Sequence, residues 1–146
     1  MKAAFRHLRL QQLERTLVPF LQAREVPRPA KGWIRAIREA SGVTLLELAT
    51  RMKGSLSLAA QFEKSEAEYR ITLNSLKQVA GALGCDLVYA LVPRQGTLHE
   101  LAEHQAAEAA TADVLAVEHT MALENQAVGG VKEKIQEEAD RILNRK

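Results

Sequence analysis

The sequence has little that would connect it with secretion, a membrane or redox chemistry. One cysteine, Cys85, stands among the 146 residues, so no disulfide can form within the chain, as expected in a reducing cytoplasm. No apolar run reaches the length of about 18 residues that a transmembrane helix needs. Lys2, Arg6 and Arg9 interrupt residues 1–10, which therefore do not resemble a secretory signal. We expect a cytoplasmic protein without a membrane span.

The sequence is also poor in the groups that enzymes use. It contains no glycine-rich loop of the kinds that cradle phosphates. No two of its histidines have the spacing that would place both on one helix face as metal ligands; they are His7, His99, His104 and His119. Cys85 precedes an apolar stretch and is expected to be a buried structural thiol. We therefore predict no catalytic site, no bound metal, no cofactor and no enzymatic activity.

The net charge of +2 conceals an uneven distribution along the chain. Residues 1–53 contain 11 Lys or Arg against 4 Asp or Glu, whereas residues 54–146 contain 9 against 14. A basic segment is where a polyanion such as nucleic acid would bind. The acidic part is a poorer surface for nucleic acid and a better candidate for a protein partner. The alternative is that both parts are ordinary solvated surface.

The pattern of apolar residues predicts a mainly α-helical fold. Aromatic residues make up only 4% of the chain, so the core should be aliphatic. Apolar side chains recur with helical periodicity, and Ser, Thr and Gly stand where helices would begin and end. The predicted helices are 3–24, 33–41, 44–52, 55–64, 72–83, 97–128 and 131–143. We expect an N-terminal helical segment at 1–27, a central domain at 28–93 and a C-terminal helical region at 94–146.

One segment has the character of a strand. Residues 86–92 are short, partly β-branched and followed by Pro93, which favours a β-strand. A single strand needs a partner, so it would pair with another chain or with an irregular edge of this one.

The spacing from Thr44 to Glu63 is the most informative pattern. It predicts a short helix, a tight turn that contains glycine, and a second short helix. Ala49 is small where two helices would cross closely, and apolar residues that include Ala59 and Phe62 would lock the pair. In this geometry the second helix can enter a major groove while the first crosses the phosphates.

At these residues the sequence resembles the lambda-repressor/Cro-type helix-turn-helix family. The resemblance covers residues 33–84. The matching residues are Ile34-Arg35-x-Ile37-Arg38-Glu39, Gly42-Val43-Thr44, Leu48-Ala49, Phe62-Glu63-Lys64, Leu73-x-x-Leu76 and Ala82-Leu83-Gly84.

The resemblance implies a DNA-binding role for particular residues. The helix from Ser55 to Lys64 would be the recognition helix. The residues that would face DNA are Ser55, Ser57, Gln61 and Lys64. The residues available for phosphates would be Arg35, Arg38, Arg51 and Lys53.

The sequence departs from the family pattern at three leucines. Leu56 and Leu58 occupy positions of the recognition helix that are usually polar, and Leu45 stands where the family often has a phosphate-contacting Gln. Leucine can touch a thymine methyl group but offers no hydrogen bond to a base edge. Sequence discrimination is then expected to be weak or to depend partly on DNA shape. The alternative is a helical module that does not bind DNA.

Over nearly the whole chain the sequence resembles the "mobile mystery protein A" family. The residues that carry this similarity are Arg28-Pro29-x-Lys31-Gly32-Trp33-Ile34-Arg35-x-Ile37-Arg38, Phe62-Glu63-Lys64-Ser65-Glu66, Leu87-Val88-Tyr89-Ala90-Leu91-Val92-Pro93 and His119-Thr120-Met121-Ala122-Leu123-Glu124. Proteins of that family are helix-turn-helix proteins encoded beside a Fic-domain partner, often on mobile elements. The resemblance implies a toxin–antitoxin-like pair.

A motif in the acidic half is similar to the inhibitory motif of Fic regulators. In that motif Ser or Thr is followed by three residues, Glu, and then Gly or Asn, as in Thr120, Glu124 and Asn125. The family likeness implies that the glutamate pairs with an arginine of the Fic enzyme and occupies the space of the ATP γ-phosphate. A carboxylate suits this role because a guanidinium binds it in the same bidentate way as a phosphate. The alternative is that Glu124 is an ordinary solvated helix residue.

We therefore expect a DNA-binding transcription regulator that is also an antitoxin for a Fic-type AMP-transferring enzyme. Symmetric operators usually need a dimer, so a homodimer on DNA is expected. One rival is a stand-alone transcription regulator whose C-terminal helix is structural. A second rival is an antitoxin whose helix-turn-helix is only a scaffold.

Overall fold

The computed structural model describes residues 2–123 and 130–145. Within these residues the chain is mainly α-helical, which confirms the predicted fold class at that level. The α-helices are α1 Lys2–Leu21, α2 Trp33–Ala40, α3 Leu45–Arg51, α4 Leu56–Ala67, α5 Leu73–Ala82, α6 Leu98–Leu123 and α7 Val131–Asn144. A short 3-10 helix, Gln22–Glu25, follows α1. No described helix combines the length and the apolar character that a membrane span requires.

Side-chain caps fix where the short helices begin. Thr44 and Glu47 form a reciprocal capping box at the start of α3, as the sequence predicts. The Ser55 hydroxyl accepts the N–H of Leu58 at 3.1 Å, and Thr72 caps α5 in the same way. Such caps satisfy backbone N–H groups that a helix leaves unpaired at its start.

The residue contacts divide the chain into two compact units. The central unit is Arg24–Ala90, and the terminal unit joins Met1–Ala23 with Leu91–Lys146. The N-terminal helix α1 therefore belongs with α6 and α7, against which it packs. The sequence offers no sign of this association, because α1 is far from the other two helices along the chain.

The core of the central unit is aliphatic. Leu48, Ala59 and Val79 are completely buried, and Ala49 is 2% exposed. Phe62 is partly buried and packs against this cluster. Ala49 of α3 and Ala59 of α4 are buried in the same cluster, and small side chains of this kind allow two helices to approach closely.

The terminal unit has a core built largely from alanine. Ala106 and Ala110 of α6 meet Ala139 of α7 in a buried cluster. Across the same pair of helices the Lys134 ammonium donates to a Glu118 carboxylate oxygen at 2.6 Å.

Residues 85–93 have no regular secondary structure, so the expectation of a strand at 86–92 is not met within the single chain. The physical reason is the lack of a partner: no hydrogen bond within the described chain reaches the backbone N–H groups of residues 86–92. A β-strand is defined by its ladder to a neighbour.

Candidate nucleic-acid interface

Two short helices joined by a tight turn form the feature that the sequence singled out. The turn runs from Met52, which ends α3, to Ser55, which caps α4. Lys53 adopts a left-handed conformation with φ 54°. The Gly54 N–H donates to the Ala49 carbonyl at 2.9 Å. This bond closes the end of α3 and directs the chain at once into α4.

The outer face of α4 carries polar side chains. Ser57, Gln61 and Lys64 are all exposed. Their spacing of four and then three residues places them on one stripe along the helix. The inner face holds Ala59 and Phe62 against the core. The helix therefore presents an exposed polar stripe while it is fixed from the opposite side.

Arg38 is a structural residue, although it was predicted as a phosphate contact. Its guanidinium donates to both carboxylate oxygens of Glu63 and, at 3.1 Å, to the Val43 carbonyl. The side chains of Arg38 and Glu63 are only 13% and 11% exposed. The hydrogen bond to Glu63 raises the pKa of the Arg38 guanidinium. Arg38 is thus committed to joining α2 with α4 and is not available to DNA in this geometry.

Glu66 is the buried charged residue of the central unit. Its carboxylate accepts the N–H groups of Trp33 and Ile34 at 2.8 and 3.0 Å. These are the first residues of α2, where a negative charge is favoured by the unpaired N–H groups and the helix dipole. Gly32 leaves room for the carboxylate, since a Cβ there would lie 2.1 Å from a Glu66 oxygen.

Arg28 holds the proline-containing segment against the end of α4. Its guanidinium donates to the carbonyls of Glu66 and Ala67 at 2.9 and 3.1 Å. The central carbon of the same guanidinium, Cζ, lies 3.8 Å from the ring centre of Tyr69. Sequence reasoning assigned no function to Arg28 or Glu66. The sequence signal that could have pointed to Glu66 is its spacing from Glu63. Residues three positions apart lie on the same face of a helix, and both glutamates lie on the inner face of α4.

The other predicted basic residues remain on the surface. Arg51 and Lys53 are exposed at the end of α3 and in the turn. Arg35 of α2 pairs with Glu39 at 2.7 Å, and its side chain is 41% exposed. The hydrogen bond from Arg35 lowers the pKa of Glu39. An exposed pair of this kind is weak, so Arg35 can exchange Glu39 for a phosphate.

The three unusual leucines occupy different environments. Leu45 packs against the core of the central unit, where a polar side chain would lose its solvation. Leu58 is partly buried and covers Gly54. Leu56 is 50% exposed at the start of α4. Only Leu56 of the three is therefore placed to meet a ligand of this face.

The second predicted site begins with Thr120, near the end of α6. Thr120 is exposed, and its hydroxyl donates to the Ala116 carbonyl at 3.0 Å. Glu124 and Asn125 lie outside the described residues. Among the residues that the structure does describe, no group of His, Cys, Asp or Glu side chains could hold a metal ion.

A scan against models of known protein families finds no match, and searches of curated proteins and of solved structures find no similar protein. The geometry of α3 and α4 is therefore the main support for a functional proposal.

Proposed function

We propose that the protein is a transcription regulator of the helix-turn-helix class that binds double-stranded DNA through α4. The observation that supports this most strongly is the division of α4 into two faces. Its inner face is held by Ala59, Phe62 and Glu63, while Ser57, Gln61 and Lys64 stay exposed. A helix fixed in this way can insert a polar stripe into a major groove without a change in its own packing.

The phosphate contacts of this proposal come from residues beside α4. Arg51 and Lys53 flank its first turn, and Arg35 lies on α2. Such contacts position the protein on the duplex and make its affinity depend on salt. Arg38 has no part in them because Glu63 holds its guanidinium.

Base recognition would depend on few side chains. Gln61 can form a bidentate contact with adenine, and Leu56 can contact a thymine methyl group. Ser55 already uses its hydroxyl as a helix cap, so its contribution to base recognition is secondary. We propose modest sequence discrimination supported by DNA shape.

The experiment measures affinity for the DNA upstream of the protein's own reading frame across a range of salt concentrations. Replacing Arg51 or Lys53 with Ala should lower the slope of log affinity against log salt by about 1 for each phosphate that the variant no longer neutralises. Lys77→Ala is the matched control, since Lys77 is also exposed, lies on α5 and has no role in the proposal. Equal slopes for all these variants would remove Arg51 and Lys53 from the interface.

We further propose that the protein acts as an antitoxin and inhibits a Fic-type enzyme through the segment from Thr120 to Asn125. The support is the motif itself and the exposure of its first residue, Thr120, near the end of α6. In this proposal Glu124 pairs with an arginine of the enzyme and misplaces bound ATP. A displacement of about 1 Å can slow a reaction about 100-fold.

Co-expression with the protein encoded next to it tests this second role. AMP transfer from labelled ATP is compared for the native chain, Glu124→Gln and Glu108→Gln. Glu108 is an exposed carboxylate of α6, so its replacement makes the same charge change elsewhere in the chain. Release of activity by Glu124→Gln alone, with the complex intact, supports the inhibitor role. Equal AMP transfer with the native chain and both variants favours the alternative of a transcription regulator that does not inhibit an enzyme.

A further inference from the structure

One side of α1 is exposed and combines apolar with basic side chains. Phe5 and Leu13 are 63% and 49% exposed, and Arg9 lies between them. Residues four positions apart share a helix face. The central carbon of the Arg9 guanidinium lies 5.7 Å from the ring centre of Phe5, and Arg9 forms no ion pair with the described residues. We call Phe5, Arg9 and Leu13 the α1 stripe.

A recess of about 330 Å³ between α6 and α7 combines apolar with acidic side chains. Val114 and Val117 form its apolar part, and Val117 is 52% exposed. Asp113 of α6 and Glu137 of α7 are exposed beside them. Neither of these two carboxylates forms an ion pair or a hydrogen bond with the described residues.

The other charged residues of the recess are already paired with one another. Lys134 pairs with Glu118 at 2.6 Å, and Arg141 pairs with Glu138 at 2.5 Å. Asp113 and Glu137 therefore give the recess an excess of negative charge. Such a surface is complementary to a segment that carries positive charge together with its own apolar groups.

The α1 stripe and the recess are separate surfaces within one chain. No residue of α1 lines the recess. α1 packs against α6 and α7 through another side, on which Leu17 is buried. On that side Arg6 also donates to the Ile142 and Leu143 carbonyls at the end of α7. The stripe stays exposed because these contacts hold α1 without it.

Charge selects which surfaces meet when two copies associate. Two α1 stripes packed with Phe5 opposite Leu13 would set Arg9 against Arg9 of the other copy, and two facing recesses would bring carboxylates together. Like charges in such positions oppose association. An α1 stripe laid in a recess instead brings Arg9 to the unpaired carboxylates and buries apolar side chains of both surfaces.

We propose that the protein forms a dimer in which the α1 stripe of each copy lies in the recess between α6 and α7 of the other copy. The occupant is a second copy because this chain itself supplies both surfaces, with opposite charges. Twofold symmetry forms the contact twice. Neither α4 nor Glu124 takes part, so the dimer is tested without DNA or an enzyme, and its failure leaves both proposed roles untouched.

Charge reversal in the full-length protein tests the contact by sedimentation equilibrium under reducing conditions. Arg9→Glu and Asp113→Arg should each weaken the dimer by about 2- to 30-fold, because an exposed ion pair contributes little but is lost twice. Arg15→Glu is the matched control on α1, since Arg15 is exposed about a third of a turn away from Arg9 around the helix. Glu108→Arg is the matched control on α6. Neither control should weaken the dimer.

Mixing the two weakened variants tests whether the stripe meets the recess. In a mixed dimer of Arg9→Glu and Asp113→Arg chains, one contact pairs the two unchanged side chains and the other pairs the two reversed ones. Both contacts then carry opposite charges, so the mixture should recover most of the native affinity. A chain with both substitutions should recover it as well.

Two leucines of α1 test the apolar part of the contact. Leu13 and Leu8 are both 49% exposed, but only Leu13 belongs to the α1 stripe. Leu13→Ala should weaken the dimer by at least about 10-fold, because two copies of this side chain are no longer buried. Leu8→Ala should leave the dimer unchanged. Urea denaturation checks that both variants fold as the native chain does.

The proposal is overturned by a native chain that stays monomeric at the highest accessible concentration. A monomer whose α1 stripe binds vesicles of anionic lipid would assign that surface to a membrane instead, with the same consequence. A dimer that Arg9→Glu and Asp113→Arg weaken no more than their controls do, or that does not recover on mixing, also contradicts it. Selective weakening followed by recovery on mixing supports it.

Discussion

The Arg38 guanidinium on α2 donates to both carboxylate oxygens of Glu63 on α4. The same guanidinium donates to the Val43 carbonyl just before α3. One side chain therefore joins three parts of the central unit. It fixes the inner face of α4 and leaves the exposed polar stripe of Ser57, Gln61 and Lys64 open to a ligand.

Replacing Arg38 with Ala should lower the free energy of unfolding by about 2–4 kcal/mol, because Glu63 stays largely buried without its partner. Urea denaturation followed by the fluorescence of Trp33, the one tryptophan, measures this decrease. Arg35→Ala is the matched control and should change stability little, since its pair with Glu39 is exposed. Equal decreases for the two variants would contradict the structural role of Arg38.

Gly32 and Gly42 should respond differently to alanine. Both have positive φ, 86° and 68°, but a Cβ at Gly42 meets nothing within 4 Å. Gly42→Ala should cost about 1–2 kcal/mol from the left-handed backbone alone. Gly32→Ala should cost more, because its Cβ also displaces the Glu66 carboxylate from the start of α2.

A double variant separates these two causes. In a Glu66→Ala background, which is itself destabilised because α2 is no longer capped, the cost of Gly32→Ala should fall. It should stay above the cost of Gly42→Ala, because Gly32 has φ 86° and ψ 165°, a backbone region that is essentially restricted to glycine. The same urea measurement applies. An undiminished cost in that background would show that the Glu66 carboxylate is not what Gly32 accommodates.

Glu47 should make the stability of the central unit depend on pH. Hydrogen bonds from the backbone and the hydroxyl of Thr44 lower the pKa of Glu47 below its ordinary value of 4.5. Because the folded pKa is the lower one, the folded state binds fewer protons. The stability that the ionised Glu47 carboxylate contributes is therefore fully present above pH 4.5. It is lost as the pH falls through the pKa of Glu47 in the folded state.

The measurement compares the native chain with Glu47→Gln in urea at several pH values. The native chain should be the more stable one at neutral pH, and the difference should shrink in acid. Glu137→Gln, an exposed residue of α7, serves as the control and should show no such trend. A difference that is independent of pH would mean that the Glu47 charge does not stabilise α3.

Local sequence patterns predicted the positions of the helices well. They did not predict side-chain pairs between residues that are far apart in the sequence. Thr44 and Ser55 mark the starts of α3 and α4 because caps act within three residues of their own position. The bond between Arg38 and Glu63 spans 25 positions, and periodicity contains no information about such a partner. For the same reason the sequence could assign Arg38 to phosphates and could not foresee its burial.

The candidate DNA site was predictable in part. Ser57, Gln61 and Lys64 follow from helical spacing once α4 is placed, and the structure leaves all three exposed. The roles of Leu45 and Leu58 did not follow, since only the packed structure shows that they face protein.

The most direct test of the DNA-binding proposal is the affinity ratio between the protein's own upstream DNA and a scrambled duplex of equal length, at one salt concentration. The account predicts a higher affinity for the upstream DNA. Gln61→Ala should reduce that preference by about 1–3 kcal/mol for each base that Gln61 reads through paired hydrogen bonds, with folding unchanged because Gln61 is exposed. An equal affinity of the native chain for both duplexes, or a preference that Gln61→Ala leaves intact, would contradict base recognition by the exposed face of α4.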